Sequence, residues 1–141
     1  MVLCGVEIDH PRGLAGHSDA DVAVHALMDA LLGAAGLGDI GELFPDTDPE
    51  FEGASSLRLL GRVLEALGER HWRVVNADVT IICERPRLAA YRRAMRASLA
   101  ATLGVDGEAV GVKATTTEGM GFEGRGEGVA ALATCLLSRV G

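Results

Sequence analysis

The order strand, helix, strand over residues 74–115 constrains this chain most. Val74 to Cys83 is β-branched and partly alternating, the pattern of a strand. Pro86 can open a helix, since its fixed φ suits a first turn and its missing N–H costs nothing there. Tyr91, Met95 and Leu99 then follow at helical spacing as far as Gly104, and Val110 to Thr115 reads as a second strand. Two strands joined by a crossover helix in one sheet run parallel with a right-handed connection. The rest of the chain has to build around that unit.

Upstream, Val2 to Ile8 reads as a short strand and Asp9 to Gly13 as a turn. A helix is signalled from Ser18, which can cap it, with Asp21 three residues on as a capping-box-like acid. Val22, Leu27, Leu31 and Leu32 give it an apolar stripe, and it should end near Gly36. Gly38 to Gly53, with Pro45, Pro49 and several acids, is too broken for a regular element. A loop that long in a compact domain points to function. Ser55 to Arg70 repeats the helical pattern through Leu57, Leu60, Leu64 and Leu67. Val129 to Val140 fits either a buried strand or an Ala-rich helix, and strand is favoured because the sheet needs members. The expected fold is α/β (α+β), a mixed β-sheet with a βαβ crossover and three helices packed on one face, forming one domain over residues 1–141.

Hydrophobic residues at 48% supply a core, and with only 4% aromatic residues and 19 glycines it must be built from Ala, Val, Leu and Ile between tight turns. A net charge of −7 argues against broad attraction to nucleic acid or anionic membranes. An anionic ligand would have to be held locally. Cys4, Cys83 and Cys135 are odd in number and set among apolar neighbours, which reads as reduced core thiols and a cytoplasmic protein. No N-terminal stretch has the pattern of a signal peptide, and no apolar run reaches membrane-spanning length.

Four stretches could carry chemistry. In His17-Ser18-Asp19-Ala20-Asp21-Val22-Ala23-Val24-His25, a helix start stands beside His17 and Ser18, and helix N-termini attract phosphate. Asp21, His25 and Asp29 recur at i, i+4, so His25 can be a metal ligand with carboxylates in support or a hydrogen-bonded interior histidine. Asp39 to Asp48 clusters carboxylates that could receive sugar hydroxyls or a cation, or simply be solvated. Lys113-Ala114-Thr115-Thr116-Thr117-Glu118 runs from a strand end into the glycine-rich stretch 119–128, closer to a phosphate and metal site than to a structural turn. Cys83 to Ala89 is a strand-to-helix turn whose backbone groups could read a base edge, or a plain helix start. No P-loop, nucleophile elbow or paired-cysteine metal motif is present.

Together, His17-Ser18-Asp19-x-Asp21-Val22-Ala23-x-His25-Ala26-Leu27, Gly38-Asp39-Ile40-Gly41 with Phe44-Pro45-Asp46-Thr47-Asp48, and Lys113 to Glu118 with Gly124-Arg125-Gly126-Glu127-Gly128 closely resemble the 2-C-methyl-D-erythritol 2,4-cyclodiphosphate synthase family. The resemblance spans nearly the whole chain. It implies a homotrimer assembled through the sheets, with active sites between subunits, and a cytidine diphosphate substrate, 4-diphosphocytidyl-2-C-methyl-D-erythritol 2-phosphate. The substrate's 2-phosphate would attack the β-phosphorus of its own diphosphate, releasing CMP and the cyclic diphosphate of the non-mevalonate isoprenoid pathway.

By position, the resemblance makes His17 and Thr116 catalytic: His17 with Ser18 holds the transferred phosphate, and Thr116 stabilises the transition state. It assigns His25 to zinc and Glu118 to a second divalent cation, magnesium or manganese. Asp39, Ile40, Gly41, Phe44, Pro45, Asp46, Thr47 and Asp48 fall on the methylerythritol and ribose contacts. Cys83, Glu84, Arg85, Pro86, Arg87, Leu88 and Ala89, with Thr115, fall on the cytidine pocket, and Thr117 joins the substrate contacts. Phe122 and Arg125 fall on residues at the substrate site that face the trimer channel.

The family pattern opens with an Asp-x-His strand that supplies two more zinc ligands, and this sequence starts after it. Asp9-His10 does not replace that pair, because adjacent strand residues point to opposite faces. The expectation is therefore a chain with one zinc ligand, His25. The main rival is a trimeric cytidine-nucleotide-binding protein impaired in catalysis, and a metal-dependent phosphohydrolase is a third reading.

Overall fold

A computed structural model gives the fold and describes residues 1–10, 20–45 and 55–140. Its centre is the predicted crossover. Strand β3 (Trp72–Ile82) pairs in parallel with β4 (Val110–Thr115), and helix α4 (Arg92–Leu103) connects them. β5 (Ala130–Arg139) pairs antiparallel with β3 on its other side, giving the mixed order β4-β3-β5. Residues 130–139 are thus strand rather than Ala-rich helix. A strand at this edge satisfies the second row of β3 hydrogen-bonding groups, which a helix could not.

The N-terminal strand reading is corrected. Val2–Leu3 (β1) and Val6–Glu7 (β2) form a two-stranded hairpin outside the main sheet. Cys4 (φ 52°) and Gly5 (φ 75°) both take the left-handed conformation, which a two-residue turn between right-twisted strands requires. Gly5 inside a strand-like run was the sequence signal of that break.

Helix α1 (Val22–Ala34) starts later than its sequence pattern suggests. Its N-cap is Asp21, whose side chain accepts from the Val24 N–H, so Asp21 is the cap and not a capping-box acid. Ser18 lies outside the described residues. The helix ends as expected: Gly36 (φ 71°) turns the chain, and the Leu37 N–H reaches back to the Leu32 carbonyl at 2.9 Å. A short helix, α2 (Ile40–Leu43), occupies a stretch expected to lack one, because Asp39 caps the Glu42 N–H at 3.0 Å.

Helix α3 (Ser56–Glu69) follows the expected helical stretch, and Ser55 is its cap, accepting the Arg58 N–H at 3.2 Å. α4 does not begin at Pro86. Residues 83–88 make a turn, a 3₁₀ turn follows at Ala89–Tyr91, and only then does the α-helix run, to Gly104 in left-handed conformation. Gly121–Gly124 forms one further helical turn, α5.

Helices α1, α3 and α4 pack on one face of the sheet, with Leu27, Leu31, Leu60, Met95 and Leu99 meeting Ala77, Val79, Ile81, Val110 and Val112. α1 lies along β5, where Ala131, Ala133 and Cys135 alternate inward and their small side chains let the helix approach. Burying each of these leucines contributes about 1.5–3 kcal/mol, so the face is the main source of stability. On the opposite face β5 presents Leu132 and Leu136, 64% and 54% exposed. Among the described residues no helix is long and apolar enough to cross a membrane.

Candidate active site

Because β3 and β4 are parallel and in register from Ala77↔Val110 to Ile82↔Thr115, their C-terminal ends open at the same edge. The Cys83 N–H donates to the Thr115 carbonyl at 2.9 Å, carrying the pairing one residue past the strands. The turn that follows contains a cis Arg85–Pro86 bond, and the Cys83 thiol donates to the Arg85 carbonyl at 3.2 Å. This turn, the start of α4 and the end of β4 enclose a pocket of about 420 Å³. It is lined by residues 83–89 together with Arg92, Ala114, Thr115 and Thr116.

The stretch from Cys83 to Ala89 and the threonines Thr115 and Thr116, separate in sequence, are thus brought together. Sequence reading missed Arg92. No local spacing signalled it, because a 3₁₀ turn at Ala89–Tyr91 precedes α4 and sets Arg92 at the helix start. Burial pushes the Cys83 thiol up; a hydrogen bond with the Arg85 backbone lowers it in part, and the Glu84 charge raises it further. It remains a thiol at neutral pH, a wall of the pocket and not a nucleophile.

Beyond β4, the Glu84 carboxylate accepts the Thr117 N–H at 3.3 Å, joining the pocket turn to the threonine loop. The Glu118 N–H donates to the Thr116 hydroxyl at 3.3 Å, and the Thr117 hydroxyl donates to the Met120 carbonyl. Glu118 sits at φ 55°, strained for a non-glycine residue at about 1–3 kcal/mol, and its carboxylate is exposed. Gly124 packs on Gly119 so closely that a Cβ there would lie 2.3 Å from the Gly119 carbonyl carbon. Phe122 is exposed, and Arg125 forks onto Glu127 at 2.9 and 3.1 Å.

A second group of predicted residues lies around α1. His25 is half-buried, and its Nε2 shares a 3.2 Å hydrogen bond with the hydroxyl of the fully buried Ser56. The carboxylates of Asp21 and Asp29, expected to support His25, accept backbone N–H groups. Asp21 is buried and accepts N–H groups from Cys4 (2.9 Å), Gly5 (2.7 Å) and Val24 (3.1 Å). Asp29 accepts the Ile40 N–H at 2.9 Å, tying α2 to α1. Asp39 is spent as a cap; Ile40 is half-buried, Gly41 and Pro45 are exposed, and Phe44 is buried in the core. His17, Ser18, Asp46, Thr47 and Asp48 lie outside the described residues.

Among the described residues no group of three His, Cys, Asp or Glu comes together to hold a metal. A catalytic zinc takes three protein ligands, and His25 supplies one. The described donors alone do not fit a zinc centre.

Against known proteins, the YgbB family profile matches residues 1–138. The 2-C-methyl-D-erythritol 2,4-cyclodiphosphate synthase of Symbiobacterium thermophilum is 59% identical over 98% of this chain and 88% of its own. The chain belongs to the YgbB family, with the 2-C-methyl-D-erythritol 2,4-cyclodiphosphate synthases. A second member, from Thiobacillus denitrificans, is 58% identical over 99% of this chain and 87% of its own. Among solved structures, a 2C-methyl-D-erythritol-2,4-cyclodiphosphate synthase in its CDP-bound form superposes with a TM-score of 0.91. It is 38% identical over 98% of this chain and 89% of that one. This YgbB-family fold is therefore the expected mixed sheet with helices on one face.

Proposed function

We infer that this chain is a 2-C-methyl-D-erythritol 2,4-cyclodiphosphate synthase, a lyase acting on 4-diphosphocytidyl-2-C-methyl-D-erythritol 2-phosphate. The observation that carries the reading is the 420 Å³ pocket at the ends of β3 and β4, which gathers the residues that the family resemblance assigns to cytidine. An oxygen of the substrate's 2-phosphate attacks its β-phosphorus, the bond to the α-phosphate oxygen breaks, and CMP leaves with that oxygen. The nucleophile belongs to the substrate, in keeping with the neutral Cys83 thiol.

The protein's part is positioning and charge stabilisation. Residues 83–89 and Thr115 hold the cytidine, and Thr116 offers its hydroxyl to charge developing on the transferred phosphoryl group. Its Oγ1 is already oriented by the Glu118 N–H. His17 and Ser18 hold that phosphate, and residues 39–48 with Thr117 take the rest of the substrate. In this reading a zinc ion would need donors beyond His25, and Glu118 would offer one carboxylate to magnesium or manganese.

The protein acts as a cytoplasmic homotrimer. β4 and β5 are opposite edges of the sheet, so α1 on β5 and the pocket beside β4 are separated within one chain. Pairing α1 of one copy with the pocket of the next would complete a site, and exposed Leu132 and Leu136 supply an apolar contact face.

Phosphorus NMR of the purified protein with its substrate and divalent cations tests the reading. A cyclic diphosphate with CMP is expected, and Thr116→Ala should lower the rate by about 10²-fold, a far larger loss than its effect on CDP binding. Linear products with free phosphate would point instead to a phosphohydrolase.

A further inference from the structure

Three arginines, Arg85, Arg87 and Arg92, line the pocket, in a protein whose net charge is −7. All three are exposed, and no hydrogen bond or ion pair of theirs is found among the described residues. The contrast with Arg96, one turn further along α4, is informative. Arg96 donates through Nε to the carbonyls of Gly107 and Val110, the latter at 3.0 Å, and so fastens the helix to the start of β4. Arg92 has no such structural task.

Its position is also unfavourable for the helix. Arg92 is the first residue of α4, Arg93 follows it, and no acid stands in the first turn to offset two cations at the positive end of the helix dipole. Helix stability therefore does not account for Arg92. A guanidinium with no partner among the described residues, at the wall of a cavity large enough for a nucleotide, is suited to an anion supplied from outside, and guanidinium pairs well with phosphate oxygens.

We propose that Arg92 is a specificity-determining residue of this pocket, selecting the diphosphate form of the nucleotide over less charged forms by direct guanidinium–phosphate contact. Arg85 and Arg87 add to the same field. The proposal rests on the cytidine-nucleotide reading above and deepens it.

Calorimetry on the full chain with cytidine, CMP and CDP, at low and moderate salt, tests it through Arg92→Gln and Arg92→Lys. Arg92→Gln should weaken CDP by about threefold to tenfold, weaken CMP less and leave cytidine unchanged. The salt dependence of CDP binding should become shallower, since one cation fewer meets the phosphates. Arg92→Lys should keep most of the CDP affinity. Equal losses for cytidine and CDP would assign Arg92 to the base and overturn the proposal, as would unchanged CDP binding in Arg92→Gln. Wild-type protein that binds none of the three overturns the nucleotide reading itself, a result distinct from either.

Discussion

The hydroxyl of Ser56 and Nε2 of His25 share a 3.2 Å hydrogen bond that joins the first residue of α3 to the start of α1. Ser56 is fully buried and His25 half-buried, so the bond holds the imidazole ring in one orientation. Ser56→Ala should cost about 1–2 kcal/mol of stability and lower turnover by about tenfold, because the ring loses its orienting partner. CDP affinity should hold, since Ser56 is not among the pocket residues. Unfolding midpoints, turnover and CDP titration measure all three. Wild-type turnover in a variant of normal stability would show that the ring needs no such support.

Asp21 is the mechanical link between the N-terminal hairpin and α1. Its carboxylate takes two N–H groups from the Cys4–Gly5 turn and one from the helix. Asp21→Ala would leave three donors short of their acceptor and should destabilise the fold by about 3 kcal/mol or more. Asp21→Asn keeps one acceptor and turns an amide toward a donor, so it should fall between alanine and wild type. Urea midpoints rank the series, and an asparagine variant as stable as wild type would deny the carboxylate this role.

Cys4 makes the fold sensitive to alkali. Burial first, and then the Asp21 charge, hold its thiol well above the ordinary value of 9.0. The folded chain thus keeps a proton that the unfolded chain gives up, so this contribution is whole below about pH 9 and is lost as pH rises past it. Urea midpoints at about pH 8 and about pH 10 should fall less steeply in Cys4→Ala than in wild type. Parallel slopes in the two proteins would remove Cys4 as the cause.

The outward face of β5 carries the assembly prediction. Leu132→Asp with Leu136→Asp changes two exposed side chains and leaves the inward row Ala131, Ala133 and Cys135 intact. The double variant should stay folded and sediment as a monomer, and wild type should sediment as a trimer, because carboxylates in an apolar contact are costly to desolvate. An unchanged trimer would place the contact elsewhere.

The sequence alone determined what depends on near neighbours. The helical stretch from Ser55, the helix end at Gly104, β4 at its full extent and the turn 83–89 all follow from spacings of a few residues and from backbone preferences. The likeness of the motifs also identified the family before any contact was visible. Tertiary structure decided what depends on partners far along the chain. Asp21 looked like a helix acid until the hairpin folded against it, 16 to 17 residues away. His25 met Ser56 across 31 residues, and Glu84 met Thr117 across 33. The Ala-rich end became a strand because the free edge of β3 needed pairing, and Arg92 joined the pocket because a 3₁₀ turn delays α4 and sets its first residue beside the ends of two strands. Local rules fix torsions and periodicity, while only packing fixes which donor finds which acceptor, since each such pair forms when the chain between them has already been ordered.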